Sequence, residues 1–163
     1  MKKVFVSICI ASTVLAMFSC RSVEKAIPLS SINGEWNIIE VNGSKVTPGE
    51  SRNLPFITFD TATGRLSGNS GCNRMMGSFD VNAKPGSIDF KGIAGTKMMC
   101  PDMTTERNVL GALAQVKGYK KAGKDKMYLC NDSNRPVVVL EKKEADVKLS
   151  VLNGEWKIKD VNG

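Results

Sequence analysis

The side chains that could do chemistry are few, and their spacing restricts them further. Among 163 residues there are five Cys and no His, so no Ser–His or Cys–His nucleophile pair, no imidazole base and no His metal ligand can be built. The acids that lie near apolar runs, Asp60, Asp80, Asp89 and Glu106, form no recognisable pair of the kind general acid–base catalysis needs, so no catalytic residue is assigned and a non-enzyme is expected. Cys72, Cys100 and Cys130 come without His or a Cys-x-x-Cys pair; they make a poor zinc set, and neither metal nor cofactor is expected.

Gly64, Gly68, Gly71 and Gly77 fall within fourteen residues. The Gly-Lys-Ser/Thr of a phosphate loop is missing, and the glycines read instead as a hairpin with bulges and close backbone approach. Asn73 and Arg74 admit two readings. A guanidinium fork suits a carboxylate or phosphate ligand; more plainly, Asn73 holds a turn and Arg74 pairs with an acid of the same domain. Met75, Met76, Met98, Met99 and Met103 cluster nearby, either as a soft surface for an apolar ligand or client, or, the plainer use, as gap-fillers in a small core. Lys117, Lys120, Lys121, Lys124 and Lys126 fall within ten residues. Such a run is usually a solvated face, and beside a membrane it would attract acidic head groups. Nucleic acid is not an expected partner, because only Tyr119 and Tyr128 interleave with these charges.

The N-terminus reads as an address. Lys2 and Lys3 precede fifteen mostly apolar residues, Val4 to Phe18, and Ser19-Cys20 closes the run, the pattern of a secretory signal peptide over residues 1–19. A small residue followed by Cys resembles the lipobox of bacterial lipoproteins, with Met17 and Phe18 where that pattern usually has Leu and a small residue. The resemblance makes Cys20 the acylated mature N-terminus, residues 20–30 anchor and tether, and the membrane a partner. Arg21, where inner-membrane lipoproteins carry Asp, favours the outer membrane. Three acyl chains, at about 0.8 kcal/mol per buried methylene, would hold the protein there. Without Lys2 and Lys3 the 23 basic residues fall to 21 against 16 acidic ones, a net of +5 where the whole chain has +7.

The other end repeats the start of the body. Residues 29–43, LSSINGEWNIIEVNG, and 149–163, LSVLNGEWKIKDVNG, share ten of fifteen positions at an offset of 120. That offset equals a small domain, so 149–163 is expected to be the first strand of an incomplete second repeat. A strand bearing Trp156 and Ile158 without its own core invites pairing or strand swapping through residues 154–162.

Between these ends lies one domain, 31–143. Trp36–Ile38, Phe56–Phe59, Arg65–Ser67, Ser78–Val81, Ser87–Phe90, Lys126–Leu129 and Pro136–Leu140 are short apolar or alternating runs punctuated by Gly, Pro, Asn and Asp, the marks of antiparallel strands. Asn42-Gly43, Thr63-Gly64, Pro85-Gly86 and Gly123-Lys124-Asp125 have tight-turn chemistry. From Thr104 to Val116 the apolar residues Val109, Leu110, Leu113 and Val116 recur at three and four, which predicts one helix with Asp102 and Thr104 as capping candidates. The fold class is mainly β (α+β), an antiparallel sheet that curls or closes, with one packed helix.

These residues also carry a family resemblance. Asn-Gly-Glu-Trp at the first strand, Pro55–Phe59, Gly64-Arg65-Leu66-Ser67-Gly68-Asn69-Ser70-Gly71-Cys72-Asn73-Arg74, Gly77, Thr96-Lys97-Met98-Met99-Cys100 and Glu106 resemble the META domain, the HslJ-like family. The resemblance implies a small lipocalin-like β-barrel with one helix, in envelope lipoproteins associated with heat shock and antibiotic resistance, and it carries over no catalytic residue. It makes Gly71, Asn73, Arg74 and Thr96 the candidate contacts for a partner or ligand. Because Cys72 and Cys100 both lie in the signature, they are the favoured disulfide pair in an oxidising envelope, worth roughly 3–4 kcal/mol; each could equally be a buried small hydrophobe, as Cys130 is expected to be. The expected function is a lipid-anchored module that binds an envelope partner or supports envelope integrity under stress. The alternative is a lipocalin-like carrier of a small apolar ligand, which an interior filled by Trp36, Phe56, Phe59, Phe79 and Phe90 would argue against.

Overall fold

The structure, a computed structural model, describes residues 26–48 and 54–143. The expected signal peptide, the Cys20 anchor and the 149–163 repeat lie outside the described residues.

Alternating burial makes the strands. In β1 (Gly34–Val41) Trp36, Ile38 and Val41 face inward, with a register shift between Ile38 and Glu40 that brings Val41 to the same side. Asn42 and Gly43, at φ +49° and +80°, turn β1 into β2 (Ser44–Lys45), the primed-turn geometry expected of Asn-Gly. There follow β3 (Phe56–Asp60), β4 (Arg65–Asn69), β5 (Arg74–Ser78), β6 (Lys91–Gly95), helix α1 (Thr104–Leu113), β7 (Gly118–Lys121), β8 (Lys126–Cys130) and β9 (Pro136–Lys142).

The strands form one curled antiparallel sheet in the order β6-β5-β4-β3-β1-β9-β8-β7, with β2 beside β1. The chain between β5 and β6 crosses the open side and meets the opposite edge. There Gly86 O accepts from Tyr119 N at 2.9 Å and Ile88 N donates to Lys117 O at 3.2 Å. The result is a half-barrel laced shut by a loop. On its way that loop delivers Phe79 edge-on and Phe90 stacked against Phe59, at centroid distances of 5.9 and 6.0 Å. Phe59 lies at the centre with Ile38, Ile57, Leu66, Met75, Leu129 and Leu140. Helix α1 covers β1 and β9 with Val109, Ala112 and Leu113, all buried.

Several expectations shift. Ser78–Val81 is not a strand beyond Ser78: Asp80 Oδ1 accepts from Asn82 N at 2.9 Å, and this turn releases Phe79 into the core. Ser87–Phe90 pairs only through a single bridge from Ser87 to Gly118. The helix ends at Leu113, but Gln115 N and Val116 N each bond the carbonyl three residues back, a tighter turn that keeps Val116 on the buried side. Residues 26–30, read as tether, belong partly to the fold. Ile27 and Leu29 pack against the core, the Tyr119 hydroxyl donates to Ile27 O at 3.1 Å, and Leu29–Ile32 form a 3-10 turn whose last carbonyl accepts from Trp36 Nε1 at 2.8 Å.

The lysine run divides. Lys117 pairs with Asp89 at 2.9 Å and Lys126 with Glu141 at 3.4 Å. Lys121, on the outermost strand β7, is exposed, where charge discourages edge-to-edge pairing.

Candidate functional site

The densest part of the signature is the tip of the β4–β5 hairpin. Asn69 faces Arg74 across the ladder, Ser70 N donates to Asn73 O at 2.9 Å, and Asn69 Oδ1 accepts from Gly71 N at 2.8 Å. Gly71 has φ +132°, and a Cβ there would come within 3.3 Å of Glu106 N and Thr105 Cγ2. Glycine is therefore what lets the turn lie flush on the start of α1.

Glu106 is what the turn rests on. It stands three residues before Val109 and so shares the inward stripe of α1. A buried carboxylate needs donors. Asn73 N donates to Oε2 at 2.7 Å and Asn73 Nδ2 to Oε1 at 3.0 Å, while the Ser70 hydroxyl sits 3.2 Å from Oε2 and 3.0 Å from Asn73 O, sharing one proton between them. Burial pushes the Glu106 carboxyl up, but the bonds from the Asn73 side chain and backbone and from Ser70 outweigh it and hold the group below the usual carboxylate range. Its place in the first turn of the helix favours the ionised form further.

Asn73 ties three segments together. Its Oδ1 accepts from Thr96 Oγ1 and Met98 N, both at 2.7 Å, and its Nδ2 donates to Met98 O at 3.0 Å as well as to Glu106. Both lone pairs and both amide protons are thus engaged. Thr96 Oγ1 also accepts from Arg74 N at 3.2 Å, and Thr96 N donates to Arg74 O at 3.1 Å. The Cys72–Cys100 disulfide, with Cα atoms 6.1 Å apart, locks the same turn to the segment before the helix. Hairpin tip, residues 96–100 and helix start therefore form one clasp, with Ser70, Asn73 and Glu106 buried in it.

Of the expected contact residues, Gly71 and Asn73 are spent inside the clasp and Thr96 joins it through its hydroxyl. Arg74 does not pair with an acid among the described residues; its backbone is fixed to Thr96 while its side chain is exposed. The structure corrects the reading of the methionines. Among the described residues only Met75 and Met127 are core residues; Met103 is half-buried, whereas Met76 is 62%, Met98 61% and Met99 95% exposed. On β5 adjacent side chains point to opposite faces, so Met75 and Met76 cannot both fill the interior. The clasp thus carries an exposed thioether pair, Met98-Met99, between Lys97 and the disulfide.

The acids are scattered. Asp60 accepts from Thr63 Oγ1 at 2.6 Å, a bond that holds its pKa below the usual range. Asp80 shapes a turn, Asp89 meets Lys117, and Glu106 sits in the clasp. Cys130 is buried in β8. Ser70 and Glu106 stand 36 residues apart, and nothing local in the sequence links them. The available signal was Glu106 on the apolar stripe of the helix, a position that obliges a carboxylate to find donors from another segment.

The architecture has a counterpart among solved structures. A protein from Burkholderia xenovorans, solved by NMR, is 22% identical over 71% of this chain and 86% of its own, with a TM-score of 0.54, and shares the fold. A DUF4847 family protein from Bacteroides vulgatus ATCC 8482 is 14% identical over 71% of this chain and 96% of its own, with a TM-score of 0.47. No curated protein matches the chain significantly. The META domain family model matches residues 28–144, a span that takes in β1 to β9, α1 and the whole clasp, and the chain therefore belongs to the META domain family.

Proposed function

We propose that this META domain is a non-catalytic, lipid-anchored module of the bacterial envelope whose clasp presents residues 96–100 to a partner protein, in support of envelope integrity under stress. The observation that carries the reading is the contrast within the clasp. Asn73, Ser70 and Glu106 direct their hydrogen bonds inward, while Met98 and Met99 are held outward on a disulfide-braced turn. Flexible, polarisable methionines suit an adaptable docking surface, and their cost to the isolated domain is exposed apolar area that a partner would cover. The carrier alternative has less support. Of the five residues expected to fill the interior, Trp36, Phe59 and Phe79 are buried in the core and Phe90 packs against it, while Phe56 is half-buried and alternates with the inward Ile57 and Phe59.

The test is photo-crosslinking in living cells with a probe at Met99 and a control probe at Lys124 in the β7–β8 turn. A discrete adduct from position 99, absent from 124 and lost in a Met98→Ser/Met99→Ser protein of unchanged thermal stability, is the expected result. Equal adducts from both positions would remove the docking role. The anchor is tested separately: Cys20→Ala should lose acylation and leave the membrane fraction.

A further inference from the structure

We propose that the outer face of the sheet, at the ends of β4 and β6 remote from the clasp, carries a binding site for the phosphate monoester of a small polyol, held by Arg65, Ser78 and Lys91. The strand register puts these three side chains in one row. Arg65 stands opposite Ser78 and Ser78 opposite Lys91, on the face away from the buried Phe59 and Leu66. Two strand spacings, about 10 Å, separate the backbones of the two cations, and both side chains are long enough to close on an ion above the serine hydroxyl.

Lys91 is there because the ladder is interrupted. Met76 faces Ala94 and Ser78 faces Lys91, so Gly77 alone stands against Gly92 and Ile93. In a regular ladder Gly92 would face Ser78, and Lys91 would point to the interior. The bulge, with Gly92 at φ +58°, keeps Ile93 packed against the core and turns Lys91 out beside Arg65.

Both cations are unspent. Asp60, opposite Arg65, has its carboxylate turned into the β3–β4 connection, where it accepts from Ala62 N at 3.0 Å and from Thr63 Oγ1 at 2.6 Å. Among the described residues Arg65 and Lys91 make no ion pair; the ion pairs there belong to Lys117, Lys126 and Lys143. Two like charges converging on one hydroxyl repel, and a dianion between them reverses the sign. A phosphate monoester supplies about −1.5 to −2 charges and three acceptor oxygens. The guanidinium fork suits two of these oxygens, and Lys91 and Ser78 the third. A carboxylate brings one charge and two oxygens. The row borders a shallow cleft of about 670 Å³, whose floor continues through Thr58 and Ser67, opposite one another in the next row. The polyol would lie on these hydroxyls, leaving Met76 at the other edge. Arg65 and Asn69 are the two ends of β4, and Lys91 and Gly95 those of β6, so about 13 Å of strand separates this site from the clasp, and either role can fail without the other.

The test is equilibrium dialysis of radiolabelled glycerol phosphate against the full chain reconstituted in neutral phosphatidylcholine vesicles. Saturable binding at one site per chain is expected, with a dissociation constant of about 1 mM or below. Arg65→Gln and Lys91→Gln should each weaken it by about tenfold or more, and Arg65→Lys, which keeps the charge and loses the fork, by about as much. Lys121→Gln, on the far edge of the sheet, should bind as the native chain does. All four positions are exposed, so melting should be unchanged in every variant. Glycerate, the carboxylate counterpart, should bind about tenfold more weakly or worse. The proposal is overturned by the absence of saturable binding, by an Arg65→Lys protein that binds like the native one, or by glycerate binding equally well. A chain that ignores glycerol phosphate yet captures phosphatidic acid vesicles would make the row a membrane contact and overturn it too.

Discussion

Replacing Glu106 by Gln removes a charge and one acceptor from the clasp while keeping its volume. In the native arrangement Oε2 receives Asn73 N and the Ser70 hydroxyl, and Oε1 receives Asn73 Nδ2. A carboxamide can put its oxygen at only one of these places. With the oxygen at Oε2, its amino group meets Asn73 Nδ2, donor against donor. Asn73 cannot rotate its amide to escape, because Oδ1 is held by Thr96 Oγ1 and Met98 N. The substitution therefore loses a hydrogen bond to a charged group, worth about 1.5–3 kcal/mol, and strands a buried donor at about 1–3 kcal/mol, for a combined cost of about 3 kcal/mol. For a domain of this size that is roughly 12 °C in melting temperature, followed by circular dichroism at pH 7.

The pH dependence gives the sign. The Glu106 pKa is lowered in the folded state, so its contribution is complete above the unfolded carboxylate range and is lost as pH falls through the folded value. The difference between native protein and Glu106→Gln should therefore be largest near neutrality and shrink in acid. Asp60 and Asp102, also lowered, titrate in both proteins and cancel in the comparison. A variant melting within 1–2 °C of the native protein, a margin of about 0.5 kcal/mol, or a difference that persists unchanged into acid, would refute the account of the clasp.

Further predictions concern the same region. Cys72→Ser/Cys100→Ser opens a loop of sequence separation 28 and should cost roughly 3.5 kcal/mol in the chain-entropy treatment, read as a lowered urea midpoint. Gly68→Ala would place a Cβ 2.1 Å from Phe56 O, so β3 and β4 must separate locally; loss of amide protection at Ile57 and Leu66 is the expected signature. Arg74→Ala should change stability by less than about 0.5 kcal/mol; a larger loss would reveal an ion pair that the exposed guanidinium does not make among the described residues.

How much of this was legible in the sequence depended on which force shaped each segment. β1, β3, β8 and β9 announce themselves, because their apolar residues alternate or run together as strands facing a core must. β6 does not. Lys-Gly-Ile-Ala-Gly has one large apolar residue and two glycines, and it is a strand because β5 offers it an edge, a tertiary effect that local propensity does not contain. Ser78–Val81 errs the other way, since Phe79 and Val81 alternate but Asp80 bonds its own neighbour's backbone and breaks the run. The methionines were ambiguous for a chemical reason: Met is at home in core and surface alike, and only the pleat of β5 separates Met75 from Met76. The clasp was visible as a motif but not as a network, because Asn73, Thr96 and Glu106 are brought together by hairpin, loop and helix at once.

The most direct measurement of the central claim is oxidation footprinting of Met98 and Met99 with dilute peroxide, in the purified domain and in intact cells. Both side chains are exposed in the isolated domain and should form sulfoxide rapidly there. If the clasp presents them to a partner, their oxidation in cells should slow by about tenfold or more while exposed Met76, on the neighbouring strand, serves as the internal reference, the slowing reporting the fraction covered. Equal rates for all three methionines in both settings would contradict the docking role of this surface.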